Sequence, residues 1–231
     1  PDAFAEPDWL ATLLAAAAAN PDCASFGSRQ LIAEQPECLD GIGDKYHVSG
    51  LVWREAHGRL QEPADLLPRE IFSPCAAAAL YRRSALDAAG QFDEDHFCYL
   101  EDVDLGFRLR LAGFRALYVP DAVVHHVGSA TSGGQHSDFA LYHGHRNLVW
   151  TYVKNMPGAL FWLCLPLHIL LNLVVVLVFA ARGRGGVLLR AKRDALIGLP
   201  RMWAKRRTIQ RNRRAPVASL WRVMDKGFAR D

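Results

Sequence analysis

The sequence predicts a layered α/β domain followed by an apolar helix and a basic helical tail. Three observations lead there: strand-like and helical patterns alternate up to residue 157, residues 158 to 181 carry no charge, and the charge balance reverses at residue 182. At 231 residues the chain can bury one sizeable core, so folding requires neither disulfides nor a structural metal. The 5 cysteines are dispersed without a C-x-x-C pair, which fits a reducing compartment better than a secreted disulfide framework or a zinc site.

Along the chain, "EPDWLATLLAAAAAN" (6 to 20) reads as a helix, with Pro7 suited to the first turn and Leu10, Leu13 and Leu14 on one face. "CASFGSRQLIA" and "YHVSGLVWRE" read as strands around a looser stretch, 34 to 45, in which "LDGIGD" has turn chemistry. After a Pro-rich loop, "CAAAALY" is expected as a strand and "RRSALDAAG" as a short helix started by Ser84 and stopped by Gly90. An acidic loop, 91 to 99, leads into a helix from about Leu100 to Ala112, and "RALYVP" and "AVVHH" are expected as two strands. "GSATSGGQHS" reads as a flexible loop and "DFALYHGHRNLVWTYVKN" as a helix. Pro1 in place of Met, with no signal-peptide pattern, makes the chain read as a piece whose beginning is missing.

"GALFWLCLPLHILLNLVVVLVFAA" (158 to 181) is 24 residues long and exceeds the ~20 that cross a bilayer, so it reads as a membrane-associated segment. Residues 1 to 181 hold 12 Lys/Arg against 21 Asp/Glu, whereas residues 182 to 231 hold 15 against 3. A basic tail belongs with cytoplasmic phosphates, and adjacency to the apolar segment favours lipid headgroups over nucleic acid as its partner. A single crossing would put body and tail on opposite faces. A re-entrant or in-plane segment kinked near Pro166 would leave both on the cytoplasmic face of the cell membrane.

The stretch 92 to 104 holds 6 carboxylates: Asp93, Glu94, Asp95, Glu101, Asp102 and Asp104. Helix capping accounts for one or two of them, and the set as a whole calls for cations or partners that offset the mutual repulsion.

"FSPCAAAALYRRSALDAAGQFDEDHFCYLEDVDLGFRLRLAGFRALYVPDAVVHHVGSATSG" resembles the second half of family 2 glycosyltransferases, notably the rhamnosyltransferase-like branch of inverting enzymes with a GT-A fold. The composite of a small-residue strand, "LYRR", "FDE", "EDVDL" and "YVP" spans some fifty positions and is specific, where a lone "ED" would not be. "PDAFAEPDWL" resembles the segment just after the family's metal-binding turn, and "RNLVWTYVKNMP" its later helix. The resemblance implies a partial GT-A layered sheet over residues 1–157, ahead of the apolar segment 158–181 and a basic amphipathic tail, 182–231.

It further implies transfer of a hexosyl or rhamnosyl group from a nucleotide-diphosphate sugar to a glycan or lipid-linked acceptor in cell-envelope polysaccharide synthesis. Asp102 is then the general base and Glu101 its support. Asp2 and His126 would hold a divalent metal, Mg or Mn, with His125 the near alternative because only one of two adjacent strand residues faces the site. Asp104 is expected as an N-terminal helix charge or a partner of Arg108, four residues on. Asp93 is expected to fix the loop or contact substrate, and Arg146 and Asn147 to reach a phosphate or to anchor a helix. The amino-terminal units that bind the nucleotide are absent, so the chain alone is expected to turn over poorly. The alternatives are a membrane-docked interaction module with a degenerate transferase domain and a metal-dependent phosphotransferase. A second metal site at His136, His143 and His145 lacks carboxylate or cysteine companions.

Overall fold

The computed structural model describes residues 2–128 and 137–227; most of the expected loop "GSATSGGQHS", with His136, lies outside the described residues. Two long parallel strands, β2 (Cys23–Ile32) and β8 (Arg115–His126), form the spine of a 6-stranded sheet and pair from Cys23↔Arg115 to Ile32↔His126. The outer edge of β8 takes two antiparallel partners in turn. Arg69–Glu70 pairs with Tyr118 and Leu117, and β1 (Ala3–Ala5) pairs with Val124 to His126. β3 (Gln35–Gly41) runs antiparallel on the far edge of β2.

Where the sequence suggests two strands split at "VP", β8 is one. The register shift between Ser28 and Arg29, opposite Val119 and Val123, absorbs Pro120 in a bulge that needs no N–H there. The "LDGIGD" stretch, expected as a turn, supplies the end of β3 and the start of β4 (Asp44–Tyr46). Pairing with β2 overrides its turn-like composition. "YHVSGLVWRE" is likewise a hairpin, in which β4 turns at His47–Gly50 into β5 (Val52–Arg54). "CAAAALY" begins as a 3-10 turn, Ala76–Ala78, before the short strand β7 (Ala79–Tyr81), β6 being Arg69–Glu70.

α1 (Trp9–Ala19) packs Leu13 against Phe26, Val119 and Ala122. α2 (Arg83–Ala89) and α3 (Glu101–Leu111) close a second cluster with Ala85, Leu105 and Leu109 on Ala24. α3 also lies against Ser73 so closely that a Cβ at Gly106 would come within 2.3 Å of the Ser73 Cβ. This contact fixes where the amino-terminal end of α3, with its carboxylates, meets the sheet.

α4 (Asp138–Asn155) and α5 (Gly158–Ala181) keep the boundaries expected from the sequence, and α5 runs unbroken through Pro166. α6 (Gly185–Ile197), α7 (Leu199–Arg211) and α8 (Val217–Val223) fold back onto the body. Trp150 donates to the Ala195 carbonyl at 3.0 Å, and Met202 and Leu220 share one core with Tyr46, Phe72, Phe107 and Tyr152. The charge reversal at residue 182 is therefore not a packing boundary.

Candidate active site

Five segments distant in sequence meet at the carboxyl-terminal ends of β2 and β8. The pairing Ala3↔His126 sets β1 beside the end of β8, and Val127 donates to the Asp2 carbonyl at 2.7 Å. The Asp2 carboxylate stands 3.9 Å from His126 Nε2. His126 Nδ1 donates to Asp40 Oδ2 at 2.8 Å, which turns Nε2 toward Asp2. His125 points elsewhere and donates to Glu6 at 2.8 Å, so strand alternation selects His126 of the two.

Asp40, at the end of β3, links this pair to the rest of the site. Arg54 Nη1 donates to Asp40 Oδ2 at 2.5 Å, and His57 Nδ1 lies 3.3 Å from Oδ1. Burial alone would raise the Asp40 pKa, but hydrogen bonds from His126 and His57 and the charge of Arg54 hold it well below the usual carboxylate range. The Arg54 side chain crosses directly over Gly41, where a Cβ would meet its Cγ and Cδ at 2.3 Å. Its other arm donates to Cys75 Sγ at 3.0 Å, and burial pushes the Cys75 thiol up to about 12.

Beyond Arg54 stand the carboxylates of α3. Asp102 Oδ2 accepts from the Ala76 amide at 3.1 Å and Oδ1 from the Val103 amide at 2.8 Å. Both donors are backbone N–H groups, and no lysine or arginine pairs with Asp102 among the described residues. Glu101 has one carboxylate oxygen buried without a partner, and burial followed by the neighbouring charge of Asp102 raises its pKa to about 7. Asp44 is pushed up by burial and by Asp102, against the lowering influence of Arg54. Asp44 and Asp102 thus share the guanidinium of Arg54, which is already paired with Asp40, and Glu101 feels the charge of Asp102. That arrangement favours an added cation or a shared proton.

Asp93, Asp95 and Asp104 of the acidic stretch belong to a separate network. Asp104 is fully buried; it accepts from Arg108 at 2.9 Å, as expected four residues on, and from Asn155 at 2.7 Å. Lys154 bridges Asp104, at 2.8 Å, and Asp93. Lys205, on α7, donates to Asp93 at 2.5 Å and to Asp95 at 2.6 Å, and Arg201 pairs with Asp95 at 2.5 Å. Ligand-type atoms of Asp93, His96 and Asp104 lie within 4.8 Å of one another, but the Lys154 ammonium already supplies the positive charge there.

The same network holds three residues singled out from the sequence. Asp93 holds Lys154 and Lys205. Asn147 is fully buried, and its amide nitrogen faces the carbonyls of His96, Cys98 and Tyr99 at 2.7–2.9 Å. Arg146 donates to the carbonyls of Asp95 and His96 and stacks over Trp150 at 4.3 Å. Both residues tie the acidic loop to α4, through Arg146 Nη2 and Asn147 Nδ2. Their grip holds Phe97, Tyr99 and Leu100 in left-handed backbone, at φ of 63° to 66°. Phe97 is 73 % exposed and makes an edge contact with Phe139, beside Glu101 in sequence.

Sequence reasoning missed Asp40, Asp44, Arg54, His57 and Cys75. Asp40 lies 86 positions from His126, and no local pattern records that contact.

Residues 56–149 match the family model described as "Glycosyltransferase like family 2". The N-acetylglucosaminyl-diphospho-decaprenol L-rhamnosyltransferases of two Mycobacterium tuberculosis strains, CDC 1551 / Oshkosh and H37Rv, are each 49 % identical to this chain over 65 residues. That stretch is 28 % of this chain and 21 % of each relative, so the chain is matched to only about a fifth of their length. Among solved structures, GalNAc-T7 with UDP, GalNAc and Mn2+ is a distant likeness, at 14 % identity and TM-score 0.49 over 66 % of this chain and 30 % of that one. The matched segment carries "EDVDL" and the strand that ends in His126, so it is this part of the chain that is similar to family 2 glycosyltransferases.

Proposed function

We propose that the chain forms the acceptor side of an inverting glycosyltransferase. The enzyme would move a hexosyl or rhamnosyl group from a nucleotide-diphosphate sugar to a glycan or lipid-linked acceptor in cell-envelope polysaccharide synthesis, at the cytoplasmic face of the membrane. The observation that carries this reading is the position of Asp102. It is half-buried, held by two backbone amides and without a salt bridge of its own among the described residues, at the edge of the sheet that also gathers Asp2, His126 and Asp40. The names of the mycobacterial relatives support the choice of a rhamnosyl donor and a prenyl-diphosphate-linked acceptor.

In the step envisaged, Asp102 takes the proton of the acceptor hydroxyl as its oxygen attacks the anomeric carbon. The bond to the nucleoside diphosphate breaks, and the pair leaves with that group. Glu101, half protonated near neutrality, limits the negative charge next to the base. Arg54 offsets the carboxylates without neutralising Asp102 directly. Asp2 and His126 fit one divalent ion: an oxygen and a nitrogen ligand face each other at 3.9 Å, and Asp40 orients the imidazole from behind. Bound there, Mg or Mn would stabilise the charge of the departing diphosphate.

Exposed Phe97 and Phe139, in edge contact with each other, offer the acceptor an aromatic face. The test is incubation of the full-length protein with dTDP-rhamnose and a panel of other nucleotide sugars, using a short prenyl-diphosphate N-acetylglucosamine as acceptor and reading the anomeric configuration by NMR. A new glycoside of inverted configuration is expected. Donor hydrolysis without transfer, or a product of retained configuration, would overturn the reading.

A further inference from the structure

α5 is long and apolar enough to span a bilayer, with a mean hydropathy of 2.6 over its best window, yet its surroundings do not suit an upright helix. Its inner side is attached to the body along its whole length. Tyr152 donates to the Phe161 carbonyl at 2.7 Å and stacks on His168 at 3.9 Å, His168 Nδ1 donates to the Ser49 carbonyl at 2.7 Å, and Phe179 meets His145 at 5.7 Å. Its outer side is an unbroken stripe of exposed residues at helical spacing: Trp162 and Leu163, Ile169 and Leu170, Leu173 and Val174, Leu177 and Val178. Exposure is as high near one end, 70 % at Leu163, as near the other, 68 % at Leu177.

A helix crossing the bilayer upright would carry its neighbours to the same depth. α4 and α6 would then bring the half-buried Arg146 and Lys192 to the depth of the hydrocarbon, where each charge is costly. Lying flat, α5 exposes only its apolar stripe to lipid. A groove of about 490 Å³ lined by Phe161, Leu165, Leu199, Pro200 and Trp203 continues the stripe toward α7, with Arg207 also in its lining. Arg182 directly follows α5, and Arg182, Arg190, Arg207 and Arg211 are exposed and form no salt bridge among the described residues.

We infer that α5 docks in the plane of an anionic lipid surface, its outer stripe sunk into the headgroup–acyl boundary and these arginines against the phosphates, without crossing the bilayer. The inference deepens the membrane association of the reading above and is independent of its transfer chemistry. It keeps body and tail on one side of the membrane without a kink at Pro166.

The experiment uses full-length protein in which Cys38 and Cys98 are replaced by Ser. An environment-sensitive fluorophore is placed singly by Leu163→Cys, Leu170→Cys or Leu177→Cys, and vesicles of phosphatidylcholine with and without phosphatidylglycerol carry nitroxide at shallow or deep positions. All three sites should respond to vesicles, be quenched best by the shallow nitroxide, and respond at lower lipid concentration when phosphatidylglycerol is present. Replacing Leu170 and Leu177 together by Asp should lower vesicle affinity roughly a hundredfold, with an unchanged melting temperature because both side chains are exposed.

Deep quenching at position 170 with 163 and 177 on opposite leaflets would mean a spanning helix and overturn the inference. So would silence toward vesicles together with self-association, which would mean that a second copy covers the stripe. Loss of transferase activity in protein that still docks flat would count against the catalytic reading alone.

Discussion

Two groups of carboxylates lie a few residues apart on the same loop and helix and have opposite fates. Asp93, Asp95 and Asp104 each have a basic side chain of their own, from Lys154, Lys205, Arg201 or Arg108. Asp102 and Asp44 share one guanidinium, that of Arg54, which is already paired with Asp40; Asp102 leans on two backbone amides, and one Glu101 oxygen is buried with no partner among the described residues. The first group ties the acidic loop to α4 and α7, and the second is left with charge for a ligand to compensate. Mere acidity does not separate them. What separates them is whether the fold supplies the counter-ion.

The largest expected effect on stability comes from breaking the paired group. Asp104→Asn leaves Arg108 buried without its carboxylate and Lys154 with Asp93 alone, and losing one partner of such a network costs about 3–5 kcal/mol. Melting of purified Asp104→Asn should occur roughly 10 °C below wild type; a shift within error would show the network to be dispensable. Next comes Asp40→Asn, which frees the His126 ring from its orienting carboxylate. Manganese affinity measured by titration should fall roughly 10- to 100-fold, and an unchanged affinity would remove Asp2 and His126 from consideration as ligands.

Glu101 sharpens the contrast through pH. Its folded pKa of about 7 lies above its ordinary value of 4.5, so between these values the folded chain holds a proton that the unfolded chain has lost. Glu101 therefore leaves stability untouched below pH 4.5 and erodes it as pH rises toward 7. Glu101→Gln should flatten that slope in denaturant titrations, and an unaltered slope would mean the carboxylate is not desolvated. The smallest effect belongs to the rim of the paired network. Arg201→Ala removes an exposed arginine from Asp95 and should cost about 1 kcal/mol or less, with less still in high salt.

Periodicity made the long helices legible. α4 and α5 begin and end where the helical pattern and the uncharged run predict, because neither depends on a distant partner. β3 was not legible, since Asp40 and Gly41 look like turn residues until β2 pairs beside them. Asp102, Glu101, Asp2 and His126 were reached through a family resemblance, and the fold brings Asp2 and His126 within 3.9 Å. Asp40, Arg54 and Asp44 escaped, as their meaning arises only when three strand ends converge. Composition points the basic tail at phosphates alone. Part of it instead neutralises the acidic loop, with Lys205 reaching Asp93 across 112 positions.

The division between the two carboxylate groups is tested most directly by comparing Asp102→Asn with Asp104→Asn in the protein, measuring kcat of the proposed transfer and melting temperature for both. Asp102→Asn should lose roughly 10²- to 10⁴-fold in kcat while melting as wild type, and Asp104→Asn should melt early. Wild-type turnover in Asp102→Asn, or a collapse of its melting temperature like that of Asp104→Asn, would contradict the account.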